Sequence, residues 1–214
     1  MASDLFEDVV NFTLDREGRV VSEDPTDGGG PTAYGISYRA HPEAWKTGPP
    51  TLEDALDIYR YVYWSGNGVN LLPPAVAAAV FDYRVHSGNT AIEELQRMIG
   101  VEPDGDIGEK TLDAVRAFGE VLVGRELTEK RRDNLRRLTQ TMEKFRRWGR
   151  GWSMRCDKVI SFLNDIDRKR REGEYGDEIP PATTFGRIAP PLPADPEPVR
   201  KRSRRKKETD DGED

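Results

Sequence analysis

The chain has one cysteine, Cys156, and two histidines, His41 and His86, among 214 residues. A single cysteine excludes an internal disulfide framework and fits a reducing compartment. A zinc peptidase needs histidine and carboxylate ligands, and only His41 and His86 exist to supply them, so that class is disfavoured. A Cys-His nucleophile would have to use Cys156, which lies in an apolar late segment. No run approaches the roughly 18 apolar residues of a membrane-spanning helix. The first ten residues, MASDLFEDVV, are acidic and have no apolar signal core. A product made in the cytoplasm is therefore expected, which another agent must release if it acts outside. Positive charge is not in excess either. The net charge is −6, so the molecule as a whole carries no nucleic-acid footprint.

What the chain has is polarity, with 36% hydrophobic and 34% charged residues. Part of it belongs to the stretch from about residue 173 onward. That stretch is punctuated by Pro180-Pro181, Pro190-Pro191 and Pro193, and carries a basic run (Arg200 to Lys207) before an acidic end (Glu208 to Asp214). Such a composition cannot bury a core, and a disordered solubilising tail is expected. Nucleic-acid binding through the basic run is a lesser alternative, because the acidic neighbour partly cancels it. The remainder is long enough for one or two domains.

Asp15 to Ser37, DREGRVVSEDPTDGGGPTAYGIS, is the densest stretch of chemistry-bearing residues. The helix before it is capped by Ser3 or Asp4 and has Leu5, Phe6, Val9, Val10 and Leu14 as its apolar stripe. Glu17 then sits in its last turn, beside the negative end of the helix dipole. With partial burial that position raises a carboxyl pKa, which suits a general acid. The plain alternative is a solvated glutamate at a helix end. The loop that follows holds Asp24, Asp27 and the run Gly28-Gly29-Gly30. Three glycines in a row are used where the backbone needs positive φ or must approach something closely. Short β pieces are expected at 19–22 and 32–37. The aspartates are turn formers, or one of them orients a water opposite Glu17.

Further on, Thr51 to Asp54 resembles a capping box opening a helix that runs to about Trp64. Its end is crowded with Tyr59, Tyr61, Tyr63 and Trp64, more aromatics than one packed face needs. One or two are expected to line a cleft, since flat rings stack on the C–H faces of sugars. His41 has no visible partner and reads as a surface histidine. Pro74 starts an alanine-rich helix, Ala75 to Val85, expected to be the central helix of a bundle. Asp82 lies inside it, and is either a hydrogen-bonding hub, the favoured reading, or a site residue. Residues 89–118 read as helix, turn and helix. The turn, Asp104 to Gly108, lacks the ligand spacing of an EF-hand, so no metal is expected. Glu126 to Trp148 is expected as a charged helix with an apolar seam of Leu127, Leu135, Leu138, Met142 and Phe145, its arginines forming a solvated face. Gly149-Arg150-Gly151 reads as a break, and 152–171 as a last helix.

These residues, in this order, resemble the glycoside hydrolase family 108 lysozymes. The resemblance rests on Glu17-Gly18, then Asp24-Pro25-Thr26-Asp27-Gly28-Gly29-Gly30-Pro31-Thr32, then Tyr34-Gly35-Ile36, Tyr59 through Tyr63-Trp64, and Phe81-Asp82. Leu95-Gln96-Arg97, Asp104-Gly105, Ile107-Gly108 and Thr111-Leu112 look like the predicted peptidoglycan-binding segment that follows in that family. Gly151-Trp152 with Arg155 resembles its closing motif. Arg19 departs from a second glycine in the family pattern, and the spacing from Glu17 to Asp24 is one residue longer.

The resemblance implies a mainly α, lysozyme-like helical bundle with a Gly-rich active-site loop. The hydrolase region is expected at 1–88, a peptidoglycan-binding helical region packed on it at 89–172, and the tail at 173–214. It implies an N-acetylmuramidase of phage endolysin type, acting on peptidoglycan as a monomer, with no cofactor, metal, nucleic acid or membrane segment. Glu17 is implied as proton donor, with Asp27 and Thr32 positioning a water and Asp24 as rival for the aspartate role. Tyr34, Tyr63 and Trp64 are the candidate sugar contacts. A non-catalytic wall-binding or secretion-activator-like protein of the same fold is the alternative, kept open by Arg19. Retention or inversion turns on whether the two carboxyls lie roughly 5–5.5 or 6.5–9.5 Å apart.

Overall fold

The computed structural model describes residues 4–17 and 30–175, and of Arg16, Glu17 and Lys144 only the backbone. Residues 18–29, with Gly18, Arg19, Asp24 and Asp27, and residues 176–214 lie outside the described residues. Among the described residues the chain is mainly helical, with one two-stranded sheet. Among the described residues no helix is long and apolar enough to cross a membrane.

Helix α1 (Leu5–Glu17) is capped by Asp4, whose Oδ1 accepts the Phe6 amide at 2.9 Å. Phe6, Val9, Val10, Thr13 and Leu14 are buried along one face. That is the i, i+3, i+4, i+7 pattern of an amphipathic helix. Strands β1 (Thr32–Ala33) and β2 (Ile36–Ser37) pair antiparallel, Thr32 with Ser37 and Ala33 with Ile36. Helix α2 (Leu52–Ile58) opens on the expected capping box. Thr51 Oγ1 accepts the Asp54 amide at 3.2 Å, and the Asp54 carboxylate accepts the Thr51 amide at 2.8 Å.

Instead of continuing as α-helix to Trp64, the chain widens into a π-helix over Tyr59–Trp64. A short 3₁₀ segment over Gly66–Leu71 leads to α3 (Pro74–Ser87). Every residue from Ala75 to Arg84 is buried, because α3 is covered all round by α1, α4 (Thr90–Ile99), α6 (Glu120–Thr141) and α7 (Gly149–Arg171). The alanine-rich sequence makes this close packing feasible. A Cβ on Gly124 of α6 would stand 3.0 Å from the Ala75 carbonyl oxygen of α3.

Helix α5 (Glu109–Phe118) completes the set. Between α4 and α5, Gln96 organises the turn. Its Nε2 donates to Asp104 Oδ1 at 2.6 Å and its Oε1 accepts the Gly105 amide at 2.9 Å. The aspartates of this turn therefore hold backbone and side chains in place.

The charged helix differs from the expectation. It begins at Glu120, straight after Gly119 with its φ of +92°, and ends at Thr141. Met142 is extended, and 143–148 form a 3₁₀ turn. Gly149 and Gly151 are not a break but the first turn of α7. The expected seam also runs out: Leu127 is buried, whereas Leu138 and Met142 reach solvent. Arg131 is not part of a solvated face but is buried.

Candidate active site

Helix α1 ends at Glu17, the position one turn beyond the buried Thr13 and Leu14. The described chain resumes at Gly30, with φ +71°, and enters the hairpin. Its two-residue turn, Tyr34-Gly35, has φ of +51° and +79°. Positive φ at both central residues is the type I′ geometry that matches the twist of paired strands. Glycine adopts it freely and tyrosine does not. Tyr34 is held there from outside, because Tyr59 Oη donates to its carbonyl at 3.0 Å.

The inner face of the hairpin, Ala33 and Ile36, is buried, and the outer face carries Thr32 opposite Ser37, both half-buried. The Thr32 hydroxyl donates to the Gly30 carbonyl at 3.4 Å, a long bond. Its oxygen lone pairs are thus suited to accept a bond from a water.

The π-helix anchors this arrangement. In a π turn the residues at i, i+4 and i+5 fall on one side, and the Ser65 amide donates five residues back to Arg60 at 2.8 Å. Tyr59, Tyr63 and Trp64 are therefore buried together. The Trp64 ring lies 5.9 Å from both Phe6 of α1 and Phe81 of α3. Tyr59 packs on Phe81 at 5.9 Å and on Tyr63 at 5.8 Å. α1, which leads to Glu17, and the hairpin, which carries Thr32 and Tyr34, are thus fastened to one aromatic cluster. The described elements before and after residues 18–29 are set by the same packed body.

This placement corrects two expectations. Trp64 is a core residue and offers no free ring face to a sugar. Tyr63 is likewise buried, and its hydroxyl is engaged by His41 Nε2 at 2.9 Å. His41 is therefore not a partnerless surface histidine. It is half-buried, edge-on to the Tyr63 ring at 5.7 Å. Burial lowers the His41 pKa and pushes the Tyr63 hydroxyl up to about 12. Both groups are neutral near pH 7, and the pair pins the 38–50 segment to the π-helix. Of the expected sugar contacts, Tyr34 alone is partly accessible, beside the well exposed Tyr38 and Tyr61.

Two buried charged groups support this region. Arg84 of α3 was not singled out in the sequence, although an arginine inside an apolar helix is itself a signal. Its guanidinium donates to the carbonyls of Val62 (3.2 Å), Tyr63 (3.0 Å) and Gly66 (2.6 Å), and to Asn67 and Asn89. It thereby satisfies the C-terminal carbonyls of the π-helix, where a helix presents negative potential. Burial lowers its pKa to about 10, so it remains charged.

Asp82 is the hub that its position implied. Its carboxylate accepts from Arg131 of α6 at 2.5 Å and from Arg155 of α7 at 2.8 Å. Burial alone would raise its pKa. The Arg131 and Arg155 guanidiniums outweigh that and hold it well below the usual carboxylate range.

Residues 10–88 match the model of the Glycosyl hydrolase 108 family, and residues 90–157 match that of the Predicted Peptidoglycan domain. The structure of Brucella abortus SagA is similar at 32% sequence identity, covering 76% of this chain and 95% of that one, with a TM-score of 0.67. No curated protein matches the chain. The two matched regions together give the chain a role on peptidoglycan, in its hydrolysis or its binding. The chain thus belongs to the glycosyl hydrolase 108 family, its hydrolase region continued by a predicted peptidoglycan domain.

Proposed function

We propose that the protein is a lysozyme-type N-acetylmuramidase that cleaves the glycan strand of peptidoglycan next to N-acetylmuramic acid. The observation that carries this reading is the position of Glu17. It stands at the end of α1 within the hydrolase-matched residues, and the described elements on either side of 18–29 are both tied to the aromatic cluster. Glu17 donates the proton to the leaving glycosidic oxygen. Asp27, with Asp24 as the competing position, and Thr32 orient the attacking water. Tyr34 contributes to sugar contact. The protein works as a monomer at the bacterial cell wall, as a lysis enzyme of phage endolysin type.

Zymography on purified peptidoglycan tests this. Glu17→Gln removes a general acid, a loss of about 10²–10⁴ in rate, with the fold unchanged by circular dichroism. Asp27→Asn lowers the rate and Asp24→Asn does not. Wild-type digestion creates new N-acetylmuramic acid reducing ends. Full lysis by a folded Glu17→Gln protein overturns the assignment of the acid. New free amino groups in place of reducing ends would identify a peptidase or amidase.

A further inference from the structure

The hairpin between α6 and α7 ends in an apolar cluster ringed by cations. Phe145, Trp148 and Trp152 pack together, with ring centroids 5.6 to 6.1 Å apart. Leu138 and Met142 extend the apolar surface, 37% and 41% exposed, and Trp148 is 39% exposed. Between residues 136 and 150 the sequence places six cations (Arg136, Arg137, Lys144, Arg146, Arg147, Arg150) against one acid, Glu143. That is a local charge of +5 in a chain whose net charge is −6. Arg136 has only a long, exposed contact to Asp133, at 3.5 Å. Arg146 and Arg150 have no acidic partner among the described residues. None of this cluster belongs to the candidate active site.

The arrangement selects among ligands. A sugar-stacking site needs an open aromatic face. Here Trp148 and Trp152 lie nearly parallel, at 29°, against one another, and the Arg147 guanidinium covers the Trp148 ring at 4.2 Å. The exposed surface comprises Trp148, Leu138 and Met142, with exposed Arg146 and Arg150 at neighbouring positions in the chain. Tryptophan edges, leucine and methionine beneath arginines are the composition that settles into the headgroup and upper acyl region of a bilayer. Clustered arginines add attraction to anionic lipid.

We infer that the α6–α7 tip is an anchoring surface for an anionic phospholipid bilayer. The tip seats Trp148, Met142 and Leu138 at the headgroup boundary, while Arg146 and Arg150 meet lipid phosphates. This surface is separate from glycan cleavage and does not depend on that reading.

The test is co-sedimentation of the full chain with vesicles of phosphatidylcholine alone or mixed with phosphatidylglycerol, alongside purified peptidoglycan. The expected result is partition into the anionic vesicles only, weakened by salt, with a blue shift of tryptophan emission. Arg146→Glu/Arg150→Glu lowers partition by about tenfold or more. Trp148→Ser lowers partition and reduces the blue shift, and both variants keep the wild-type circular dichroism and melting. Absence of wild-type partition into anionic vesicles overturns the inference. So does partition that survives both variants, which would assign it to the basic run at 200–207. Loss of peptidoglycan binding with vesicle binding intact would make the tip a wall-binding surface and overturn it equally.

Discussion

Asp82→Asn isolates the interaction that ties α3 to both α6 and α7 through a single carboxylate. Asp82 is 2% exposed, Arg131 4%, and the Arg155 side chain 14%. The substitution keeps the side-chain volume and one acceptor oxygen, but removes the negative charge facing the buried Arg131 and the partly buried Arg155 guanidiniums. Breaking a buried ion pair by removing one partner costs about 3–5 kcal/mol, mostly through the charge left uncompensated. Because asparagine still accepts one hydrogen bond, the lower end applies, about 3 kcal/mol. That is a large part of the ~5–15 kcal/mol that holds a domain of this kind folded. With a urea dependence of about 2 kcal/mol per molar, the midpoint falls by about 1.5 M.

The pH dependence gives a second reading. Asp82 is held below its ordinary carboxyl range in the folded protein, so the unfolded chain takes up the proton first as pH falls. The stability it contributes is complete above about pH 4, the unfolded value, and is lost as pH drops toward the folded one. Urea titrations at pH 7, 4 and 3 should show that loss in the wild type and a shallower one in Asp82→Asn. A change below 1 kcal/mol at pH 7, or equal acid sensitivity in the two proteins, would refute the argument that the carboxylate is the hub.

Three further substitutions probe the site's support and the central packing. Tyr63→Phe strips His41 Nε2 of its partner and should cost about 1–2 kcal/mol in urea unfolding. Since burial lowers the His41 pKa in the folded state, the unfolded chain binds the proton more readily. Stability is therefore full above about pH 6.5 and declines as pH falls through the lower folded value. His41→Phe should flatten that decline, and an unchanged slope would count against it. Gly124→Val places branched carbon where even a Cβ meets the Ala75 carbonyl at 3.0 Å. The expected loss is about 1–3 kcal/mol, read as a lower melting temperature. A neutral effect would mean that α3 and α6 can separate freely.

Much of the fold was legible because it depends on near neighbours in sequence. The α1 stripe, the Thr51 capping box, Pro74 opening α3 and the Asp104–Gly108 turn are all local signals, and each is present. What sequence could not give is pairing over distance. Asp82 announced its need for partners, but they lie 49 and 73 residues away: Arg131 looks like any other arginine of a charged helix, and Arg155 is marked only by the resemblance to the family's closing motif. The π turn was also hidden. On α-helical spacing Trp64 rotates away from Tyr59 and points to a cleft. The change of period brings it back into the core. At the site, the α1 stripe that leads to Glu17 is a local pattern, whereas the fastening of Tyr34 by Tyr59 required the folded chain.

The division between matched regions, near residue 89, is not a physical boundary. Helix α3 falls on the hydrolase side, yet its buried surface is completed by α6 and α7 from the other side. Phe12 of α1 stacks on Phe162 of α7 at 4.0 Å, and Asp8 accepts from Lys169 and Tyr175 at 2.7 and 2.5 Å. Asn67 takes the Ile107 amide at 2.9 Å on its carbonyl. A fragment of residues 1–88 would expose the apolar length of α3 and leave the Asp82 carboxylate in an apolar face without its arginines. Each large side chain uncovered forfeits about 1.5–3 kcal/mol, so a handful cancels the stability of an ordinary domain. The fragment should accordingly lack cooperative melting and near-ultraviolet dichroism. In the intact protein, Trp45 and Trp64 on one side of the division and Trp148 and Trp152 on the other should report a single shared transition. A folded fragment, or two separate transitions, would show that the second region is a detachable module and not the scaffold on which the hydrolase region is built.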